Sequence, residues 1–166
     1  FVGHTETEAT FEDCSVDVVL EGHGSDIAGF AGKTTGSVSF TGCKAKAVVT
    51  SYAAAKNRCG GFIGWNSTSK TVMTDCHVLK GSSLKDMSGR AAASNGNYGG
   101  LIGFGDTKGT VLEISGCSTD VVVDGGLSTY NSCFISYLGY ASTTVISNSC
   151  AAGEVKNGVA NYVGGL

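Results

Sequence analysis

The chain has 166 residues, a net charge of −3 at neutral pH and only 15% charged residues. Because such a composition offers no basic stripe, it argues against a nucleic-acid partner. No apolar run approaches the roughly 20 residues of a membrane-spanning helix, so we expect no membrane span in this segment. Twenty-six glycines and no proline indicate many tight turns with positive φ.

A short apolar step bounded by small residues recurs along the chain and defines five repeats. The repeats cover 1–29, 30–61, 62–100, 101–133 and 134–165, and a sixth step begins at Gly165-Leu166. Self-similarity at this period predicts an array of stacked units. We therefore expect one repeat domain over 1–166, as a mature or excised segment of a longer array.

A cysteine follows each step, and a change of strand parity precedes each cysteine. These cysteines are Cys14, Cys43, Cys76, Cys117 and Cys150. Val38 and Phe40 lie on one parity and Cys43 on the other, and an unbroken strand cannot bury both sets. A corner is predicted between them, and residues that suit a corner occur just before the cysteines: Asp13, Gly42, Asp75, Gly116 and Asn148.

Each repeat contains at least three short strand patterns, whereas helical periodicity is weak and amounts to one short turn at Tyr52–Lys56. Two all-β closures suit such units. A propeller blade usually needs about 40 to 50 residues and its own sequence signature, which these repeats lack. The pattern predicts an all-β fold: a parallel β-helix, or β-solenoid, of about five coils with one coil per repeat of 29 to 39 residues.

The C-terminal repeat resembles a known family. The run Ile146-Ser147-Asn148-Ser149-Cys150 and its continuation to Gly158, followed by Tyr162-Val163-Gly164-Gly165-Leu166, is similar to the GLUG repeat, and Gly99–Gly103 also matches it closely. GLUG repeats occur in large bacterial surface proteins, including adhesin-like proteins. The resemblance implies an extracellular or cell-surface β-solenoid, and it carries over no catalytic residue.

The five repeat cysteines are predicted to form an inward-facing ladder. Two interpretations stay open for them: a stack of buried free thiols, or a disulfide that joins ladder members. Cys59 and Cys133 fall outside the ladder. Asp75-Cys76-His77 is a weak zinc candidate, because consecutive strand residues face opposite ways and no CxxC or HxxxH spacing occurs. We expect no metal and no cofactor.

Two surface features could bind or carry sugars. Asn66-Ser67-Thr68 is a glycosylation sequon, which makes Asn66 a possible modification site. Four aromatic residues follow successive steps and could form an exposed ligand stripe, or could simply be partly buried beside loops. These residues are Trp65, Phe104, Tyr137 and Tyr140.

No pattern points to catalysis. The sequence has no GxSxG elbow, and Asp17, Lys46, Lys80 and Asp120 suit a solvated face better than a catalytic one. We expect a non-catalytic extracellular rod or stalk segment of an adhesin or surface filament, with neighbouring repeats or like subunits stacked end to end. The alternative is a carbohydrate-binding module for a host or matrix glycan, and a polysaccharide-acting enzyme is less favoured.

Overall fold

The computed structural model describes residues 1–54, 56–89, 94–105, 111–139, 143–156 and 162–165. In these residues every regular element is a β-strand, and the described part of Tyr52–Lys56 is not helical. The strands form four sheets, and hydrogen-bonded neighbours in a sheet come from successive repeats. All pairings between them are parallel.

Each coil passes through the four sheets in order. Sheet 1 contains β1 (Val2–Thr5), β5 (Ala31–Thr34), β9 (Ile63–Asn66) and β13 (Ile102–Gly105). Sheet 2 contains β2 (Ala9–Glu12), β6 (Val38–Thr41), β10 (Lys70–Thr74), β14 (Val111–Ser115) and β17 (Thr143–Ser147). Sheet 3 contains β3 (Ser15–Gly22), β7 (Lys44–Ser51), β11 (His77–Asp86), β15 (Ser118–Asp124) and β18 (Cys150–Lys156). Sheet 4 contains β4 (Asp26–Ala28), β8 (Arg58–Gly60), β12 (Ser94–Gly99), β16 (Ser128–Ser132) and β19 (Tyr162–Gly164).

This topology is a parallel β-solenoid, and it confirms the predicted fold class with a coil count close to five. Sheet 1 continues into the last coil through two isolated bridges, Ile102 to Ile135 and Gly105 to Leu138. Equivalent residues of successive coils therefore lie above one another at the usual inter-strand spacing of about 4.8 Å.

The corner between sheets 2 and 3 is made by one residue per coil in the left-handed region. The positive φ values are 48° at Asp13, 64° at Gly42, 51° at Asp75, 67° at Gly116 and 51° at Asn148. Glycine, aspartate and asparagine tolerate this conformation best. The predicted corner is confirmed at all five positions.

The glycine that opens the second, third and fourth apolar steps (Gly29, Gly61 and Gly100) is required by close packing of the next coil. The Gly61 amide donates to the Gly100 carbonyl oxygen at 2.8 Å. A Cβ atom on Gly61 would collide with that oxygen and with the side chain of Val78. At these three steps the backbones of adjacent coils approach too closely for any side chain.

The interior is a narrow apolar core whose first coils are filled by stacked rings. Phe11 and Phe40 stack at 4.9 Å, Phe30 and Phe62 stack at 4.7 Å, and Phe30 meets Phe40 edge to face. The column of Phe11 and Phe40 continues upward as Met73, Ile114 and Ile146. In-register stacking thus converts one repeated sequence position into one continuous core column.

Candidate functional site

Two columns of outward side chains flank the apolar step, where sheet 4 turns into sheet 1 of the next coil. Together they form what we call the corner surface, which is separate from the positive-φ corner between sheets 2 and 3. The sheet 1 column has the register His4, Lys33, Trp65 and Phe104. The sheet 4 column has the register Asp26, Arg58, Asn97, Tyr130 and Tyr162. The columns change from charged residues in the first coils to aromatic residues in the last coils.

Arg58 is fixed at the centre of the corner surface. Its Cζ atom lies 3.8 Å from the Trp65 ring centroid and 5.7 Å from the Phe104 centroid. Its Nε atom lies 2.6 Å from Asp26 Oδ1, and the two side chains are 15% and 17% exposed. Contacts of a cation with a ring contribute about 0.5 to 2 kcal/mol, depending on desolvation. Rings and carboxylate together hold the guanidinium in one orientation.

Trp65 is covered by a second cation. Lys33 Nζ lies 4.0 Å from the Trp65 ring centroid. Lys33 is the register partner of Trp65 in the preceding coil, so the stacking of coils brings the ammonium over the indole. The Trp65 side chain is therefore only partly exposed, and a ligand would meet it beside charged groups.

The later coils present aromatic rings in parallel stacks. Phe104 and Tyr137 stack at 4.7 Å with an interplanar angle of 5°. Tyr130 and Tyr162 stack at 4.9 Å with an angle of 6°, and Tyr130 meets Tyr137 edge to face at 5.1 Å. The ring spacing follows the coil spacing, because the rings occupy equivalent positions of paired strands.

A groove of about 440 Å³, which we call the corner groove, lies between the two columns. This volume is within the range of small-ligand sites. The residues that line it are Lys56, Arg58, Trp65, Asn97, Phe104, Tyr130 and Tyr137. Among the described residues, the lining thus combines aromatic faces, two cations and one amide, and it includes no carboxylate.

Three of the four predicted stripe residues meet at this groove. Trp65, Phe104 and Tyr137 line it, whereas Tyr140 lies outside the described residues. The sequence analysis missed the whole sheet 4 column. A signal for it exists, since Arg58, Asn97 and Tyr130 each lie four residues before the Phe or Leu of the following step.

The thiol ladder has four cysteines rather than five. Cys14, Cys43, Cys76 and Cys117 directly follow the positive-φ corner, but in the last coil the residue after the corner is Ser149. Cys150 instead pairs in register with Ser118 and is exposed. The prediction for Cys150 is therefore wrong, because the last repeat has one more residue between corner and cysteine and the side chain faces the other way.

Ladder residues make one recurring hydrogen bond. The Cys76 thiol donates to the Thr74 carbonyl at 3.3 Å, and the Ser149 hydroxyl donates to the Ser147 carbonyl at 2.8 Å. The same bond to the carbonyl two residues earlier occurs at Cys14, Cys43 and Cys117. Ser149 therefore takes over the role of the cysteine in the last coil.

All seven cysteines are free thiols in the structure. Cys43, Cys76 and Cys117 are buried, and Cys14 is half-buried in the first coil. The Cys76 amide donates to Cys117 Sγ at 3.4 Å. Contact with the Cys117 thiol and burial together raise the pKa of Cys76. Burial also raises the pKa of Cys43, so these thiols stay protonated near neutral pH.

The second pair of cysteines, Cys59 and Cys133, is also buried. Cys59 lies in the sheet 4 register between Ile27 and Tyr98, inside the core. Burial raises the pKa of Cys59 to about 12. Burial likewise raises the pKa of Cys133. Both thiols behave as small apolar core groups rather than as nucleophiles.

The Asn66 side chain is buried, which corrects the expectation of a glycosylation site. It is 1% exposed, and Oδ1 accepts hydrogen bonds from the hydroxyls of Thr34 at 2.9 Å, Thr68 at 3.3 Å and Thr71 at 2.9 Å. A glycan on its amide nitrogen would not fit in this folded chain. Asn66 instead joins two coils and the turn into sheet 2.

Two of the charged residues named in the sequence analysis lie on another face of the solenoid. Asp17 and Lys46 form an exposed ion pair of 3.2 Å on sheet 3. Within the described ranges, no three His, Cys, Asp or Glu side chains are grouped so that they could hold a metal ion. None of the described residues forms a helix long and apolar enough to cross a membrane.

Comparison with protein-family models, curated proteins and solved structures finds no match.

Proposed function

We propose that this chain is a non-catalytic rod or stalk segment of an extracellular or cell-surface protein. The observation that carries the proposal is the parallel pairing of successive coils in all four sheets, three of which run through all five coils. Because each coil is held by its neighbours along the whole axis, a solenoid of this kind extends by addition of coils and resists bending. The resemblance of the last repeat to GLUG repeats of bacterial surface proteins supports the location.

End-to-end stacking with a second copy extends this proposal. Val163 continues the column of Asn131, whose side chain is buried, yet Val163 itself is 56% exposed. Phe1, in the first coil, contacts the core rings Phe11 and Phe30 and is still 67% exposed. A coil stacked on either end would remove this apolar surface from water and pair the edge strands.

Sedimentation velocity over a concentration series tests the stacking. We expect association that rises with concentration and that Val163→Lys weakens, because a lysine at the end face would be buried in the contact. Val145→Lys is the matched control: Val145 is 53% exposed but continues the outward column of Glu113. A monomeric wild-type chain at every concentration would contradict end-to-end stacking.

A second candidate function is carbohydrate binding at the corner groove. The specific observation in its favour is a groove of about 440 Å³ walled by aromatic rings from three coils. Flat rings of Trp, Tyr and Phe suit the apolar faces of sugar rings, and the tyrosine hydroxyls and the Asn97 amide suit their hydroxyl groups.

Glycan-array screening followed by titration calorimetry tests this candidate. Tyr137→Ala removes one groove wall, and we expect at least about a fivefold loss of affinity, since an aromatic contact contributes about 0.5 to 1.5 kcal/mol beyond its buried area. Tyr52→Ala is the control, because Tyr52 is 36% exposed and stacks near His23, outside the groove lining. Equal losses in both variants, or no binding at all, would rule out the corner groove.

A further inference from the structure

We propose that the corner groove selects sugars that carry a carboxylate, such as a hexuronate residue. This inference rests on the carbohydrate-binding candidate and adds the substrate class. It begins from the charge of the groove lining, in which the part of the chain that the structure describes contributes the cations Lys56 and Arg58 and no acidic side chain. A neutral sugar needs no such pair of charges, whereas an anionic sugar gains from both.

Arg58 is held ready to bind a carboxylate. Its Nε atom faces Asp26, and its guanidinium plane is fixed against Trp65. Neither terminal Nη group donates a hydrogen bond to another described residue, and Arg58 lines the groove. A guanidinium presents paired N–H donors that match the two oxygens of a carboxylate. Because the side chain is already immobilised, binding costs little additional side-chain entropy.

Lys56 supplies the second charge from the rim. Its side chain is exposed and has no carboxylate within ion-pair distance in the part of the chain that the structure describes. The backbone places Lys56 in the left-handed region at φ 53°, directly before the buried Asn57. An exposed, uncompensated ammonium next to an aromatic wall raises the local concentration of anions and contributes most at low salt.

The charge pattern of the chain favours a short acidic sugar over a nucleic acid. A single-stranded nucleic acid needs a basic track that follows its backbone. The sheet 4 column instead leads from Arg58 to Asp26, and the first repeat contains seven carboxylates with no lysine or arginine. Among the described residues the cations at the corner surface and its groove are Lys33, Lys56 and Arg58, a short cluster that matches one carboxylated ring beside rings that stack on aromatic walls.

Calorimetric titration with two matched probes tests the proposal. The probes are tetragalacturonate and galactotetraose of the same linkage, which differ in the carboxylate. We expect the wild-type chain to bind the acidic probe at least about tenfold more tightly, since a charge-assisted hydrogen bond of about 1.5 to 3 kcal/mol is available only to it. Raising the salt concentration should reduce this preference.

Lys56→Gln should weaken the acidic probe about fivefold and leave the neutral probe unchanged, because a surface charge of this kind contributes up to about 1 kcal/mol. Arg58→Lys keeps the charge but loses the paired N–H donors. The preference for the acidic over the neutral probe should therefore fall more in Arg58→Lys than in Lys56→Gln. Lys46→Gln removes the same charge on sheet 3, where Lys46 pairs with Asp17, and should change neither affinity.

Each other outcome is decisive. Equal affinity for both probes with a Tyr137-dependent site would overturn the acid preference and leave carbohydrate binding intact. Binding of neither probe would overturn the acid preference, and the absence of any hit on the glycan array would overturn carbohydrate binding as well. Tighter binding of poly(U) than of tetragalacturonate, with the same loss in Lys56→Gln, would identify a single-stranded nucleic acid as the ligand class and overturn the sugar assignment.

Discussion

Whether a polar group is stable in this narrow core depends on its hydrogen-bond partner and on its protonation state. Asn57 Nδ2 donates to the Tyr98 hydroxyl at 3.0 Å, and Tyr98 is fully buried although it is the largest enclosed side chain. Burial raises the pKa of Tyr98 above its ordinary value of 10.0, next to the Cys59 thiol. Both groups are stable in the core only while they keep their protons.

The burial of Cys59 and Tyr98 predicts that the folded protein loses stability at alkaline pH. The unfolded Cys59 thiol loses its proton near pH 9.0, whereas the folded thiol keeps it to about pH 12. The unfolded state thus binds fewer protons between these values, so the free energy of unfolding falls as pH rises through this window and is unaffected by Cys59 below it. The limiting slope for one group is about 1.4 kcal/mol per pH unit.

Urea unfolding at pH 8, 9.5 and 10.5 measures this slope. Cys59→Ala should have a lower stability at pH 8 but a shallower fall with pH than the wild type. Cys150→Ala, which removes an exposed thiol, should keep the wild-type slope. An unchanged slope in Cys59→Ala would show that this thiol is not buried as described.

At the scale of elements, the corner between sheets 2 and 3 alternates in residue type for a steric reason. A Cβ atom on Gly42 would collide with Asp13 Oδ1, and a Cβ atom on Gly116 would collide with Asp75 Oδ1. The aspartate side chain of one coil occupies the space above the corner of the next. An aspartate at one corner therefore requires glycine at the following corner.

Substitution of Gly116 tests this rule. Gly116→Ala should lower the free energy of unfolding by about 1 to 3 kcal/mol, the usual cost of overpacking, because the new Cβ atom meets the Asp75 carboxylate. The double variant Asp75→Gly/Gly116→Ala removes that carboxylate and should recover part of the loss, while the left-handed φ at position 116 keeps its cost for alanine. Additive effects of the two substitutions in urea unfolding would contradict direct contact.

The register of the last coil gives a second prediction for the elements. At pH 8 an aromatic disulfide reagent should label Cys150 rapidly in the folded protein, because Cys150 is exposed, and Cys117 only after unfolding, because Cys117 is buried. Peptide mapping by mass spectrometry identifies the labelled residues. Rapid labelling of Cys117 with protection of Cys150 would mean that the register is shifted, and fewer than seven thiols in denaturant without reductant would reveal a disulfide.

Sequence reasoning succeeded where a repeated position had a repeated physical cause. Parity around Cys43 required a corner, and the corner residue Gly42 could be named in advance. It failed where a neighbouring coil decides the outcome. Asn148 was named as the corner residue of the last repeat, but counting offsets to Cys150 overlooked that Ser149, and not Cys150, directly follows this corner and takes the ladder position. The groove was found only in part, because Arg58 reaches it across the step from another sheet.

At the scale of the whole molecule, equivalent positions differ in burial according to their place along the axis. Ile114 and Ile146 are register partners in one core column. Ile114 is 1% exposed, whereas Ile146 in the last coil is only partly buried. In a solenoid each coil gains stability from the coils on both sides, so a given side chain contributes less at an end.

Matched truncations measure this gradient. Ile114→Ala should cost about 2 to 5 kcal/mol, as expected for a fully enclosed isoleucine, and Ile146→Ala clearly less. The single tryptophan, Trp65, lies in the third repeat and reports unfolding of the central coils by fluorescence, while circular dichroism reports all strands. Equal costs at the two positions would indicate that the last coil is covered in solution, as end-to-end stacking requires.

The ion pairs between the first two coils favour the correct alignment of these coils. Asp17 with Lys46 and Asp26 with Arg58 both join a carboxylate of the first repeat to a cation of the second. The first repeat has only acidic charges and the second only basic ones. If a repeat pairs with the wrong neighbour, one whole coil out of register, the apolar columns still remain in contact. Hydrophobic burial alone therefore does not prevent this misalignment. Opposite charge on adjacent coils favours the native pairing, because a first repeat with only acidic charges is attracted to a second repeat with only basic charges.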